Sequence, residues 1–352
     1  MILEDPPLIK TSLIITNFDF MKTTNKKILI TGGAGFIGGH LCEYALENGN
    51  DVVIVDSFND ETSTPVEKAK NVEHIKDTAS KHNKKLTIYQ CSITDEESLN
   101  KIFFDENPHI LIHAASLVKD RWSMDVPLEF IDINIKGSQV LINSSAKTKS
   151  LEQILFISSR SAVGEVIDAC TSMTEENSFR PVNPYGATKA ASEGLFYSNH
   201  HNTNLPLKIC RMQPVYGPRG RNDMFVKRIL DSIITKKEIQ KYGSGEGVRD
   251  WLYISDAVDG IFKIIDFDSS FDIFNIGIGV ATSTNKLIQL CQEISGKKAN
   301  IVNVDAPPGD AHFAGVADCS KMKRLLGWEA KVNIAEGIQK TYDYMLEAYK
   351  QT

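Results

Sequence analysis

Apolar runs of four to six residues recur along the first two-thirds of the chain, separated by longer stretches with helical spacing. The runs place strands at 27–31, 51–55, 86–91, 109–113, 153–158 and 207–212. Between them, amphipathic patterns predict helices at 36–48, 95–106, 128–148 and 184–201. Strands this apolar are covered on both faces, and strands alternating with helices predict an α/β fold with a parallel, doubly wound sheet. Beyond about residue 213 the alternation stops, and Pro, Gly and Arg become frequent. The expected organisation is an N-terminal extension (1–25), a Rossmann-type doubly wound domain (26–212) and a smaller C-terminal substrate lobe (213–352). Some segments of that lobe are expected to return to the main sheet. Ligands of such sheets bind at the carboxyl ends of the strands.

Composition narrows the class. The 352 residues are 42% hydrophobic, enough for one large core or two smaller ones. Net charge is −6, from 39 basic and 45 acidic residues, with no basic block, so neither nucleic acid nor an anionic membrane surface is an expected partner. Six scattered cysteines show no metal-ligand spacing, which predicts no metal site and a reduced, cytoplasmic setting. In 1–25 the apolar stretch Leu13-Ile14-Ile15 is too short to span a membrane, and no signal-peptide pattern surrounds it.

Two stretches carry the chemistry. In Thr31-Gly32-Gly33-Ala34-Gly35-Phe36-Ile37-Gly38, a glycine turn joins the first strand to the first helix. Gly32 suits the tight turn, Gly35 the approach of a pyrophosphate, and Gly38 close packing of helix on strand. Asp56 ends the second strand about twenty residues on, where a carboxylate accepts ribose hydroxyls and repels a 2′-phosphate. The expected cofactor is therefore NAD rather than NADP. The second stretch is Tyr185-Gly186-Ala187-Thr188-Lys189, whose Tyr and Lys project from one helix face. An ammonium beside a phenol favours the phenolate, so Tyr185 is expected to have a lowered pKa and to serve as general base.

The pieces TGGAGFIG (31–38), HAAS (113–116), ISS (157–159), PYGATK (184–189), VYGPRGRNDM (215–224), GVRDWLYISDAVDGI (247–261) and ADCSKMKRLLGW (317–328) occur in an order that resembles a known family. It is that of the extended short-chain dehydrogenases/reductases that epimerise or dehydrate nucleotide sugars. Phe58-Asn59-Asp60 followed by a Lys-rich helical stretch (66–81) is similar to an insertion of the UDP-glucuronate 4-epimerase branch. The resemblance implies a catalytic Ser159 with Tyr185 and Lys189. It places Gly32, Gly35, Phe36, Ile37, Gly38, Asp56, Ala114, Ala115, Asn134, Tyr185 and Lys189 at the cofactor. Arg121, Arg160, Arg219, Arg221, Arg249 and Asp310 fall to the substrate, and a homodimer through the 184–201 helix is implied. For Ser159 a local backbone cap is the alternative; for Asn134, a structural helix contact. For Arg219, Arg221 and Arg249 it is a solvated surface charge, and for Arg160 an ion pair on the far side of the strand.

The chain also departs from that pattern. Val163-Gly164 replaces Tyr-Gly, and Ser92 stands where an adenine-contacting Asp is common. Arg211-Met212-Gln213-Pro214 replaces Arg-x-Phe-Asn or Arg-x-Phe-Thr, so Pro214 cannot supply the usual side-chain hydrogen bond to substrate. Pro307-Pro308-Gly309-Asp310 lacks an arginine common before Pro-Gly-Asp. Dehydratases resemble Thr-Asp-Glu at and after the serine; here Arg160-Ser161 follows, with no carboxylate. The expected activity is an NAD-dependent 4-epimerisation of a UDP-sugar, UDP-glucuronate first and UDP-glucose or UDP-galactose next. A dehydratase, dehydrogenase or keto-reductase is the alternative, and a non-catalytic nucleotide-sugar-binding protein is a third reading.

Overall fold

Seven strands form one parallel sheet in a computed structural model that describes residues 23–165, 172–305 and 315–350. They are β1 (Lys27–Thr31), β2 (Asp51–Asp56), β3 (Leu86–Gln90), β4 (Ile110–His113), β5 (Gln153–Ser159), β6 (Leu207–Met212) and β7 (Phe271–Ile276). Their order is β7-β6-β5-β4-β1-β2-β3. The order reverses direction beside β1, and such a switch point opens a crevice at the carboxyl ends of the strands. The six expected strands form within a residue of their expected bounds. The seventh, β7, is a segment of the C-terminal part returned to the sheet, paired with β6 from Phe271 opposite Leu207 to Ile276 opposite Met212.

Alternate residues of each strand feed two cores. Ile28, Ile30, Val52 and Ile54 join one, with α1 (Phe36–Glu47); Leu29, Val53 and Val55 join the other. The second core is covered by α3 (Glu96–Glu106), α4 (Gly137–Ser145) and α5 (Pro184–Thr203), through Phe103, Leu141 and Phe196 among others. Burial of each such side chain stabilises by roughly 1.5–3 kcal/mol. The long β2–β3 connection carries α2 (Pro65–Lys81), started by a capping box in which Thr64 and Glu67 satisfy each other's backbone. After β6 come α6 (Phe225–Thr235), α7 (Ile254–Asp266), α8 (Thr284–Ser295) and α9 (Ile334–Lys350), with short two-stranded sheets between them.

The helix expected over 128–148 is broken. Short turns at Trp122–Asp125 and Pro127–Phe130 lead into a π-helical turn, Ile131–Lys136, and only then into α4. The physical cause is Asn134 within the π turn. Its side chain accepts the Leu117 N–H at 2.8 Å and donates to Thr188 Oγ1 at 2.9 Å. A widened turn lets it reach both the loop after β4 and α5, which an α-helical turn would not.

Among the described residues no helix is long and apolar enough to cross a membrane, and no group of three potential metal ligands occurs. Residues 1–22 and Asp310 lie outside the described residues.

Candidate active site

The glycine turn is built by close approach. Gly32 has φ +70°, and a Cβ there would lie 2.8 Å from the Ala115 nitrogen. A Cβ on Gly38 would sit 2.1 Å from the Gly32 carbonyl oxygen, so only glycine lets α1 start this close to β1. Gly35 meets nothing nearer than 3.2 Å, leaving the side of the turn facing the crevice free for a ligand. Asn71 of α2 braces the turn by donating to the Ala34 and Gly35 carbonyls at 2.9 and 3.2 Å.

A cleft of about 320 Å³ opens over these strand ends, large enough for small-molecule binding. Gly32, Gly35, Phe36, Ile37, Gly38, Asp56, Ala114 and Ala115 line one part of it. Ser159, Arg160, Tyr185, Lys189, Arg221 and Arg249 line another. At the β2 end, Asp56 accepts the Phe58 N–H at 2.8 Å and the Ala34 N–H at 3.2 Å. It also pairs with Lys68 of α2 at 3.0 Å, and both side chains are almost completely buried. No sequence motif marks Lys68, because the pairing depends on how α2 folds back over β2.

Tyr185 reaches the end of β5 because α5 begins against it. Asn183 caps α5 by accepting the Gly186 N–H at 2.9 Å, and Pro184 opens the first turn. A Cβ on Gly186 would lie 2.2 Å from the Ser161 carbonyl oxygen, so the helix start abuts the turn after Ser159. Ser159 Oγ accepts the Ser161 N–H at 3.1 Å, and the serine also lowers the pKa of the Tyr185 phenol. The local cap, one of the two alternatives in the sequence, is therefore present, and Ser159 still lines the same cleft as Tyr185.

The electrostatics differ from expectation. Burial pushes the Tyr185 phenol up to about 12, with help from the Asp120 carboxylate; Ser159, Arg221 and Arg160 pull the other way. Burial likewise lowers Lys189 to about 7, opposed by Glu193 one turn further along α5. The expected lowering of the phenol by Lys189 is thus overturned: desolvation is the largest influence on both groups and disfavours the charged form of each. Lys189 Nζ lies 4.4 Å above the Phe156 ring. Behind it, His113 Nδ1 is 2.7 Å from Thr31 Oγ1 and Nε2 is 3.2 Å from Ser138 Oγ. Burial takes His113 down to about 3, so it is neutral and links the glycine-turn strand to α4.

Three expected site residues stand elsewhere. Asn134 is buried behind the cleft, holding the 117 loop to α5. Arg219 forms a two-pronged ion pair with Glu43 of α1, at 2.5 and 2.8 Å, and does not line the cleft. Arg121 also leaves it, its guanidinium 3.8 Å above the Tyr242 ring. In each case a nearer polar or aromatic partner captures the side chain. Asp310 lies outside the described residues. Arg160 does enter the cleft: β5 ends at Ser159, and the turn Arg160–Val163 removes the strand alternation that would have sent it to the other face.

The turn, its open side and the polar end at Asp56 fit a dinucleotide, with the pyrophosphate at the start of α1. A sequence model of the "NAD dependent epimerase/dehydratase family" matches residues 28–277. A UDP-glucuronate 4-epimerase of Thermodesulfobacterium geofontis is 30% identical over 320 residues, covering 91% of this chain and 96% of that protein. The crystal structure of UDP-glucuronic acid 4-epimerase from Bacillus cereus with UDP-glucuronic acid and NAD has a TM-score of 0.83 at 30% identity, covering 92% and 100% of the two chains. UDP-glucose 4-epimerase from Thermotoga maritima with UDP-glucose gives 0.83 at 30%, covering 92% and 99%. With the glycine turn, the Ser–Tyr–Lys group and the seven-stranded sheet all in place, the chain belongs to the NAD-dependent epimerase/dehydratase family.

Proposed function

We propose that the protein is a nucleotide-sugar 4-epimerase acting through a 4-keto sugar, with UDP-glucuronate as first substrate and UDP-glucose or UDP-galactose next. The observation that carries this is the meeting of Ser159, Tyr185 and Lys189 in one cleft, with Lys189 buried one turn along α5 from Tyr185 and no carboxylate at 160 or 161. NAD would be held by the glycine turn, Asp56 and Lys189, and when bound it supplies reversible hydride chemistry that no side chain can. In its phenolate form, which the positive charge NAD would bring to the site would favour against the effect of burial, Tyr185 Oη would take the proton of the sugar 4-hydroxyl and later return it, with Ser159 Oγ sharing the proton in flight. Arg249, in the cleft wall, offers a guanidinium to the diphosphate, which suits phosphate oxygens. The apolar wall of Leu117, Phe130 and Tyr185 excludes water from the phenol. A second copy of the chain would cover the exposed Phe104, Leu128, Ile131 and Tyr197 on the helical layer that includes α3 and α5.

One observation favours dehydration as a second reading: Asp120 lies in the cleft and its charge bears on Tyr185. Incubation of the NAD-loaded protein with UDP-glucuronate, UDP-glucose and dTDP-glucose, followed by anomeric-proton NMR, separates the two. Interconversion of 4-epimers is the expected result, and a 4-keto-6-deoxy product would replace epimerisation by dehydration. Tyr185→Phe should bind NAD and UDP-sugar normally while turnover falls roughly 10²–10⁴-fold; near-normal turnover would remove the tyrosine from the mechanism.

A further inference from the structure

Gln213 stands just past the end of β6, between Met212 and Pro214, and all three line the cleft. Its backbone is fixed by donation of its N–H to the Ile276 carbonyl at 3.0 Å. Its stem packs on Gly277, where a Cβ would lie 2.8 Å from Gln213 Cγ. The residue is only 3% exposed, yet its Oε1 has no hydrogen-bond partner among the described residues. A buried amide oxygen without a donor is unfavourable, and the soft terminal torsion of glutamine lets the amide turn its oxygen toward a donor that arrives in the cleft with a ligand. Just beyond it, Pro214 has neither a side-chain donor nor a backbone N–H to offer, so this stretch of wall has Gln213 as its side-chain hydrogen-bonding group.

We propose that Gln213 is a substrate-specificity residue whose side-chain amide oxygen accepts a hydrogen bond from a hydroxyl of the bound sugar. The inference rests on the nucleotide-sugar reading above and deepens it. A hydroxyl is the matching chemistry, because it can donate to the amide oxygen and accept from the amide nitrogen in return. A phosphate or carboxylate has no proton to donate at neutral pH and would leave Oε1 unpaired. Gln213 therefore reads the hexose rather than the diphosphate, and it acts in binding, while the proton transfers stay with Ser159 and Tyr185.

The test is calorimetric titration of the NAD-loaded enzyme with UDP, UDP-glucose and UDP-glucuronate, for the wild type, Gln213→Leu and Gln213→Asn. The leucine keeps the volume without the amide; the asparagine keeps the amide but shortens its reach. Loss of one buried hydrogen bond predicts roughly tenfold weaker binding of the UDP-sugars in both variants, with UDP affinity and NAD content unchanged. Thermal stability of Gln213→Leu should equal or exceed that of the wild type, since an unpaired buried oxygen is removed. Undiminished UDP-sugar binding in either folded variant, or an equal loss for UDP itself, overturns the assignment. A wild type that binds UDP but no UDP-sugar overturns the nucleotide-sugar reading and this proposal together, whereas selective failure of the variants' predictions overturns only the role of Gln213.

Discussion

Arg160 and Lys189 show what burial does to charge. Arg160 lines the cleft beside Ser159, and its charge lowers the phenol's pKa, so its field reaches Tyr185. A uronate carboxylate would pair with such a fork, a contribution of about 1.5–3 kcal/mol, while a neutral hexose would gain little. Arg160→Ala is therefore expected to reduce activity with UDP-glucuronate about tenfold or more and leave UDP-glucose activity nearly unchanged; equal losses would make its role structural. Lys189 has its pKa lowered from 10.5 to about 7 by burial. Between those values the unfolded chain binds the proton and the folded chain does not, so stability rises with pH across that window. The cost of burying the cation is complete below pH 7 and fades as pH approaches 10.5. Lys189→Met should accordingly raise the melting temperature most at pH 6–7, with the gap closing as pH rises toward 10, while abolishing turnover; a gap that widens with pH would contradict this.

At the scale of elements, α2 helps to build the proposed cofactor site although it lies in the long β2–β3 connection. Lys68 and Asn71, three residues apart, face β2 and the glycine turn from one side of the helix. Lys68 pairs with Asp56, so the carboxylate expected to repel a 2′-phosphate is itself held by a cation. Asp56→Ala would remove the repulsion and free Lys68 to meet that phosphate. NAD affinity should fall and NADP affinity rise, which fluorescence titration with both dinucleotides would register. Unchanged discrimination would show that Asp56 does not face the adenosine ribose. Removing Lys68 instead leaves a buried unpaired carboxylate and should destabilise the fold by about 3–5 kcal/mol.

At the scale of the whole molecule, the helical layer over the second core leaves large apolar side chains in water. Phe104 is 86% exposed and Leu128 76%, with Ile131 and Tyr197 about half exposed. Scattered single exposures are ordinary, but these sit on neighbouring helices that include α5, which carries Tyr185. A second copy covering them would brace the catalytic helix from outside. The double variant Leu128→Glu, Tyr197→Glu should then sediment as a monomer while the wild type sediments as a dimer. A wild-type monomer would remove the interface.

The alternation of apolar runs with helical spacing was enough to set the six strands, their parallel sense and the site at their carboxyl ends, because a sheet covered on both faces writes its period directly into the sequence. Gly32, Gly38 and the Tyr185–Lys189 spacing were equally legible, since local backbone geometry dictates them. What only the tertiary structure decided depends on neighbours far away in the chain. The broken helix at Asn134 follows from partners at Leu117 and Thr188. The capture of Arg219 by Glu43 and of Arg121 by Tyr242 follows from lobe packing. The raised phenol of Tyr185 is a burial effect that no i, i+4 pattern contains. Periodicity reports which face of an element is covered, whereas the partner and the local dielectric of a polar side chain are set by whatever the fold brings against it.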